Sequence, residues 1–192
     1  MALSARELAL GRQLPPLSQR RYWQSRSALR QWLAGVLGCP PAEVPLHSQP
    51  VCPQKLLDGA GWVSLSHSGD GLLLGFSQAP IGVDLEAADR PVAPALMRRW
   101  FPPEEVAQLQ MVSGEHQGAA LLTSWVLKES AIKWRRSSLA TELSSWQLDH
   151  ASGRLVHRVD GVQPAWLSGV AVGWLWAGVG EGMPNAALEV VI

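Results

Sequence analysis

The chain has 192 residues and 47% hydrophobic content, enough for one sizeable core or for two small units pressed together. Its sixteen basic and sixteen acidic residues cancel, which argues against a protein that coats nucleic acid or an anionic membrane, since both need a basic excess. The two cysteines, Cys39 and Cys52, lack CxxC spacing, so free thiols in a reducing cytoplasm are expected rather than a disulfide framework or a zinc site.

In chain order, the first residues, MALSARELALGRQL, lack the long apolar core of a secretory leader. Residues 17–37 place Tyr22, Leu29, Trp32, Leu33 and Val36 at helical spacing, with Gly38 and the Pro40-Pro41 pair as stop signals. Residues 39–61 are rich in Pro, Gly and polar groups and read as an irregular connection. VSLSH (63–67) and LLLGF (72–76) read as strands flanking a turn at Ser68-Gly69-Asp70-Gly71. Pro80 leads into a third strand, IGVDLE (81–86). Pro102-Pro103 fits the first turn of a helix through Glu105 to Met111, and the longest helix is expected from about His116 to Arg135. The chain then returns to strands: WQLD (146–149), RLVHRV (154–159), VAVGWLW (170–176) and AALEVVI (186–192). The apolar run 170–179 is far shorter than a bilayer span and reads as a buried strand. Without regular βαβ alternation, this mixture implies an α+β fold with antiparallel sheet.

Side chains two apart in a strand share a face, so Asp84 and Glu86 point the same way. Two neighbouring carboxylates repel unless a cation or a proton relieves them, and hard oxygen donors suit Mg²⁺ or Mn²⁺. Taken alone, the D-x-E pair is a weak signal, and a solvated face of an ordinary strand is the better reading. On the long helix, Trp125, Glu129 and Lys133 are spaced by four and form a stripe bordering the apolar face. By itself this is an ordinary surface ion pair. His67, flanked by Ser66 and Ser68, closes a strand at a turn, where it either satisfies the turn or donates to a phosphate. Arg20, Arg21, Arg26 and Arg30 make the first helix basic, either as a solvated face or as an anion site.

Together these segments resemble the surfactin-type (Sfp-type) 4′-phosphopantetheinyl transferases. That family carries a Gly-x-Asp-x-Glu strand, here Gly82-Val83-Asp84-Leu85-Glu86, and a Trp-x-x-Lys-Glu-(Ala/Ser)-x-x-Lys helix, here Trp125 through Lys133. Its upstream Ser-His-Ser matches Ser66-His67-Ser68, and its Phe-x-x-x-Glu matches Phe101 through Glu105. The resemblance implies that Asp84, Glu86 and Glu129 ligate Mg²⁺ (Mn²⁺ as the alternative) with the coenzyme A pyrophosphate. It implies that Lys133 contacts phosphate oxygens, that Ser66 and His67 help hold the nucleotide end, and that Arg26 or, more weakly, Arg21 meets the 3′-phosphate.

The implied reaction moves 4′-phosphopantetheine from coenzyme A to a serine of an acyl or peptidyl carrier protein of fatty-acid, polyketide or peptide synthesis. Asp84, Glu129 and Lys133 carry it, with Glu129 as the base. Glu105 would orient a metal-bound water from behind the ligands. Arg98 and Arg99 offer docking positions for an acidic carrier protein. The family fold implies two similar halves about a pseudo-twofold axis, each a small antiparallel sheet with a packed helix. Here they would be residues 1–95 and 96–192, in a cytoplasmic monomer that binds neither nucleic acid nor membrane. The alternatives are a coenzyme A or carrier-protein binding module without activity, and another Mg²⁺-dependent phosphoester enzyme. Three departures stand out: Gln49 where many members have Lys or Arg, Arg135-Arg136-Ser137-Ser138 in place of a glycine-rich stretch, and a start close to the first helix.

Overall fold

In the computed structural model, which describes residues 3–46 and 54–192, the chain begins with a short helix, α1 (Ala5–Gly11). Its cause is local. The Ser4 hydroxyl accepts from the Glu7 N–H while the Glu7 carboxylate accepts from the Ser4 N–H, a reciprocal capping box. The same buried carboxylate pairs with Arg30 at 2.7 Å. Arg30 lies on α2 (Pro16–Leu37) and also donates to the carbonyls of Pro41 and Val44, so one side chain ties α1, α2 and the following loop together. Helix α2 opens on a proline at its first position and stops at Gly38, whose φ of 67° forms a left-handed cap.

The first strands are β1 (Gln54–Lys55), β2 (Trp62–Ser68), β3 (Gly71–Ser77) and β4 (Gly82–Ala87). Pairing of Ser68 with Gly71 confirms the expected turn, which is two residues long. A short helix, α3 (Pro94–Trp100), follows where only proline punctuation was expected, with Pro94 at its first position. Next come α4 (Pro103–Met111), the long α5 (Gly114–Arg135) and one turn of α6 (Leu139–Glu142). The remaining strands are β5 (Trp146–Asp149), β6 (Arg154–His157), β7 (Trp166–Ala171), β8 (Trp174–Val179) and β9 (Ala187–Val191).

The apolar run 170–179 is not one buried strand. It is interrupted at Val172-Gly173, where Ala171 pairs with Trp174 across a two-residue turn, and the β7 side of that turn carries exposed Leu167 and Val170.

Every strand pairing is antiparallel, as the α+β reading requires. One sheet has the order β1-β2-β3-β9, a second the order β4-β8-β7, and β5-β6 forms a ribbon. The expected division at residue 95 falls inside α3, and strand pairing crosses it twice. Strand β4 pairs with β8, and the C-terminal β9 returns to pair with β3.

The layers run helix, sheet, sheet, helix. Leu29 and Leu33 of α2 pack with Val63, Leu74 and Phe76 on one face of the first sheet. Leu73, on the other face, meets Val83 and Leu85 of β4. Leu122, Val126 and Ala131 of α5 pack with Ala177 and Val179 of the second sheet. Among the described residues no helix is long and apolar enough to cross a membrane. Cys39 is a free thiol, while Cys52 and Gln49 lie outside the described residues.

Candidate active site

The period of two along β2 sends Val63 and Leu65 toward α2 and turns Ser64, Ser66 and Ser68 toward β4. The three hydroxyls form a ladder. Ser64 accepts from the Val83 N–H at 3.0 Å, Ser66 donates to Asp84 Oδ1 at 2.7 Å, and Ser68 donates to Glu86 Oε2 at 2.6 Å. Both carboxylates of β4 are thus held in place by the neighbouring strand. Asp84 is almost wholly buried, and its Oδ2 has no hydrogen-bond partner.

Helix α5 closes the site from the other side. Gly82 makes this approach possible, because a Cβ there would collide with the Ser130 carbonyl and the Trp134 backbone N. The close fit brings Lys133 Nζ to Asp84 Oδ1 at 2.6 Å, to Ser66 Oγ at 2.8 Å and to the Val83 carbonyl at 3.1 Å. All three ammonium protons are therefore engaged by protein groups. Glu86 is also paired with Arg90, four residues on.

Glu129 faces the same cluster from α5. Burial first, and then the charges of Asp84 and Glu86, push its carboxyl up to about 7, with Lys133 and Trp125 offsetting this only in part. The charges of Asp84, Glu86 and Lys133 all act on Glu129. Among the described residues, however, no three His, Cys, Asp or Glu side chains are gathered closely enough to hold a metal ion as they stand.

His67, on the opposite face of β2 from Ser66, helps line a cavity of about 410 Å³ with Arg21, Gln24, Asp70, Gly71 and Leu72. Partial desolvation, and then the charges of Lys133 and Arg21, hold its imidazole below the ordinary histidine range. Arg20 and Arg21 line an adjoining groove with Asp70.

Several expected contacts are arranged differently. Arg26 is buried, donates to Gln54 Oε1 at 3.1 Å and lies over the Tyr22 ring, so it is not presented to the cavity as Arg21 is. Ser66 is buried with its hydroxyl committed to Asp84, and positions that carboxylate instead of facing the nucleotide cavity. Glu105 does not stand behind the carboxylate cluster. It forms a fully buried ion pair with Lys128 at 2.6 Å, and Lys128 also lies over the Phe101 ring. Sequence reasoning missed Ser64 and Arg90 and gave Ser68 no role beyond the Ser-His-Ser match, although serines at 64, 66 and 68 are a readable period-two signal.

Comparison with known proteins bears directly on this arrangement. Residues 80–171, from just before β4 to the end of β7, match the model of the 4′-phosphopantetheinyl transferase superfamily. A Synechocystis protein described as a candidate 4′-phosphopantetheinyl transferase is 34% identical over 137 residues, 68% of this chain and 56% of that protein. The chain belongs to the 4′-phosphopantetheinyl transferase superfamily.

The 4′-phosphopantetheinyl transferase HetI of Nostoc is 30% identical over 139 residues, 68% of this chain and 58% of its own length. The 4′-phosphopantetheinyl transferase Sfp of Bacillus subtilis is 29% identical over 93 residues, 48% of this chain and 41% of its own length. The chain thus spans about half the length of the curated relatives it matches. The matched span contains Asp84, Glu86, Glu129 and Lys133.

Proposed function

We propose that this superfamily member transfers the 4′-phosphopantetheine group from coenzyme A to a serine of an acyl or peptidyl carrier protein, releasing 3′,5′-ADP. The observation that carries the reading is the β4–α5 contact, where Lys133 of α5 is fixed between Ser66 and Asp84 and Glu129 of the same helix lies within the field of Asp84 and Glu86. The same reading takes the molecule as two similar halves about a pseudo-twofold axis. Its support is that each sheet has one long helix packed on it, α2 on the first and α5 on the second.

A divalent cation fits this donor set. The partnerless buried Oδ2 of Asp84, and the burial and neighbouring carboxylate charges that raise Glu129, describe a cluster that a cation would relieve. Asp84, Glu86 and Glu129 are the residues that would hold Mg²⁺ or Mn²⁺. When bound, such an ion neutralises charge on the pyrophosphate of coenzyme A.

The chain's own residues do the rest. Ser66 and Ser68 hold the β4 carboxylates in register. Lys133 supplies a fixed positive charge beside the phosphoryl group being transferred. Arg21 and His67 offer the cavity for the nucleotide end. The serine oxygen of the carrier forms the new P–O bond, the P–O bond to 3′,5′-ADP breaks, and Glu129 takes the serine proton.

Mass spectrometry of an apo-carrier protein incubated with coenzyme A, Mg²⁺ and this protein tests the reading. A gain of one phosphopantetheine is expected, lost on chelation of the metal and abolished in Glu129→Gln, with the circular dichroism of that variant unchanged. Unmodified carriers across both classes would overturn it.

A further inference from the structure

The hairpin joining β7 to β8 has a two-residue tip, Val172-Gly173, and both residues have positive φ, 51° and 82°. That is the geometry of a type I′ turn, which favours Asn-Gly because its first central residue must tolerate the left-handed region. Gly173 meets the demand, but Val172 does not, since a β-branched residue there is strained. Val172 is also 75% exposed, and Val170, two residues earlier, is 66% exposed. An aliphatic side chain held in solvent on a strained backbone adds nothing to the core and costs the fold stability. An outlier of this kind points to a use outside the fold.

Its place in the structure indicates the use. The Gly173 carbonyl accepts from the Ala88 N–H at 2.9 Å, and Ala87 and Glu86 of β4 pair with Trp174 and Leu175 just beyond the turn. The Trp174 indole lies against Gly71 and Gly69, at the turn that lines the His67–Arg21 cavity. The tip is therefore on the rim shared by the carboxylate cluster and that cavity. Arg90, hydrogen-bonded through its backbone to Ala87, adds a basic neighbour. Arg99, stacked on Trp100, follows at the end of α3, and Trp100 packs against the same core as Ala88.

We propose that Val172 and Val170 form a docking contact for the protein that brings the acceptor serine, gripping an apolar patch beside that serine, with acidic residues of the partner opposite Arg90 and Arg99. The inference rests on the transferase reading above. A protein delivering a serine hydroxyl to Glu129 must cover this rim. The occupant has acidic and apolar surface because the rim offers cations and exposed valines.

Val172→Asn and the double variant Val170→Thr/Val172→Asn test it. Asparagine suits the turn, so Val172→Asn is expected to raise Tm by about 2–4 °C, as relief of roughly 1 kcal/mol does in a chain of this size. With coenzyme A saturating, KM for apo-acyl or apo-peptidyl carrier protein is expected to rise about tenfold in the double variant, as loss of an apolar interface anchor does. kcat should stay within about twofold, and coenzyme A affinity by calorimetry should be unchanged. A higher Tm with unchanged KM overturns the docking role, and a lower Tm overturns the strain argument.

Calorimetric binding of apo-carrier protein without coenzyme A separates this inference from the transferase reading. If transfer is absent but wild-type protein binds the carrier and the double variant does not, docking stands and the reaction assignment falls. Equal binding by both, or none by wild type, refutes the docking contact. Dimers of the wild-type chain in sedimentation that Val172→Asn dissolves would assign the tip to a second copy and overturn the proposal.

Discussion

Replacing Lys128 with methionine is expected to destabilise the protein by about 3–5 kcal/mol, although Lys128 makes no contact with solvent or with the proposed substrates. Lys128 Nζ and Glu105 Oε2 are 2.6 Å apart, and both side chains are fully buried. Loss of solvation is the largest influence on each group, lowering Lys128 from 10.5 to about 8 in spite of Glu105 and raising Glu105 in spite of Lys128. At roughly 1.4 kcal/mol per pH unit, the environment disfavours the charged lysine by about 3 kcal/mol. The pair is thus a cost the fold carries, offset by its mutual attraction and by the Phe101 ring beneath the ammonium. Removing one partner leaves the other charge buried alone, whereas removing both relieves the cost. Lys128→Met and Glu105→Leu should each lower stability, and the double variant should return to within about 1 kcal/mol of wild type or exceed it by up to ~4 kcal/mol. Urea unfolding followed by tryptophan fluorescence suits a chain with ten tryptophans. With a slope of roughly 2 kcal/mol per molar, a single variant should shift the midpoint down by about 2 M. A double variant as unstable as the sum of the singles would refute the reasoning, because additivity would show that the two charges are not coupled and that neither is stranded by loss of the other.

Gly82→Ala should cost about 2 kcal/mol and most of the transfer activity, because the added methyl meets rigid backbone of α5 and pushes Glu129 and Lys133 away from Asp84. Urea midpoints and the carrier mass assay read the two effects. Arg21→Ala should weaken coenzyme A binding about tenfold with stability changed by less than about 0.5 kcal/mol, whereas Arg26→Ala should cost about 2 kcal/mol of stability and leave affinity unchanged. Calorimetry and unfolding on the same samples separate them, and the opposite pattern would return the anion site to Arg26. Arg30→Ala should cost about 3 kcal/mol, since it strands the buried Glu7 carboxylate and the carbonyls of Pro41 and Val44. Limited proteolysis within α1 ahead of global unfolding checks that this loss is local.

Much of the site was readable because its signals are periodic. The D-x-E strand and the Trp-x-x-Lys-Glu helix keep their faces whatever surrounds them, and α5 begins and ends within two residues of its expected limits. Helix α1 was not read from the sequence, although the capping box at Ser4 and Glu7 that accounts for it is a local signal. The β7–β8 turn was hidden for a physical reason. Val172 stands where Asn would announce a type I′ turn, so two strands read as one apolar run. Arg21 and Arg26 carry the same charge on one helix, and only the sheet beneath α2 determines which of them reaches the cavity. Likewise, Glu105 has the chemistry of a ligand-orienting carboxylate, and only packing shows that its partner is Lys128.

What the sequence by itself determined is local: which residues share a strand or helix face, where caps and most turns fall, and which carboxylates belong to a recognisable motif. The pairing of β4 with β8 and of β9 with β3, and the approach of α5 made possible at Gly82, were decided by the tertiary structure alone. The physical reason is that backbone periodicity arises within a few residues. Strand partners and ion-pair partners are instead selected by how distant apolar faces can be buried together.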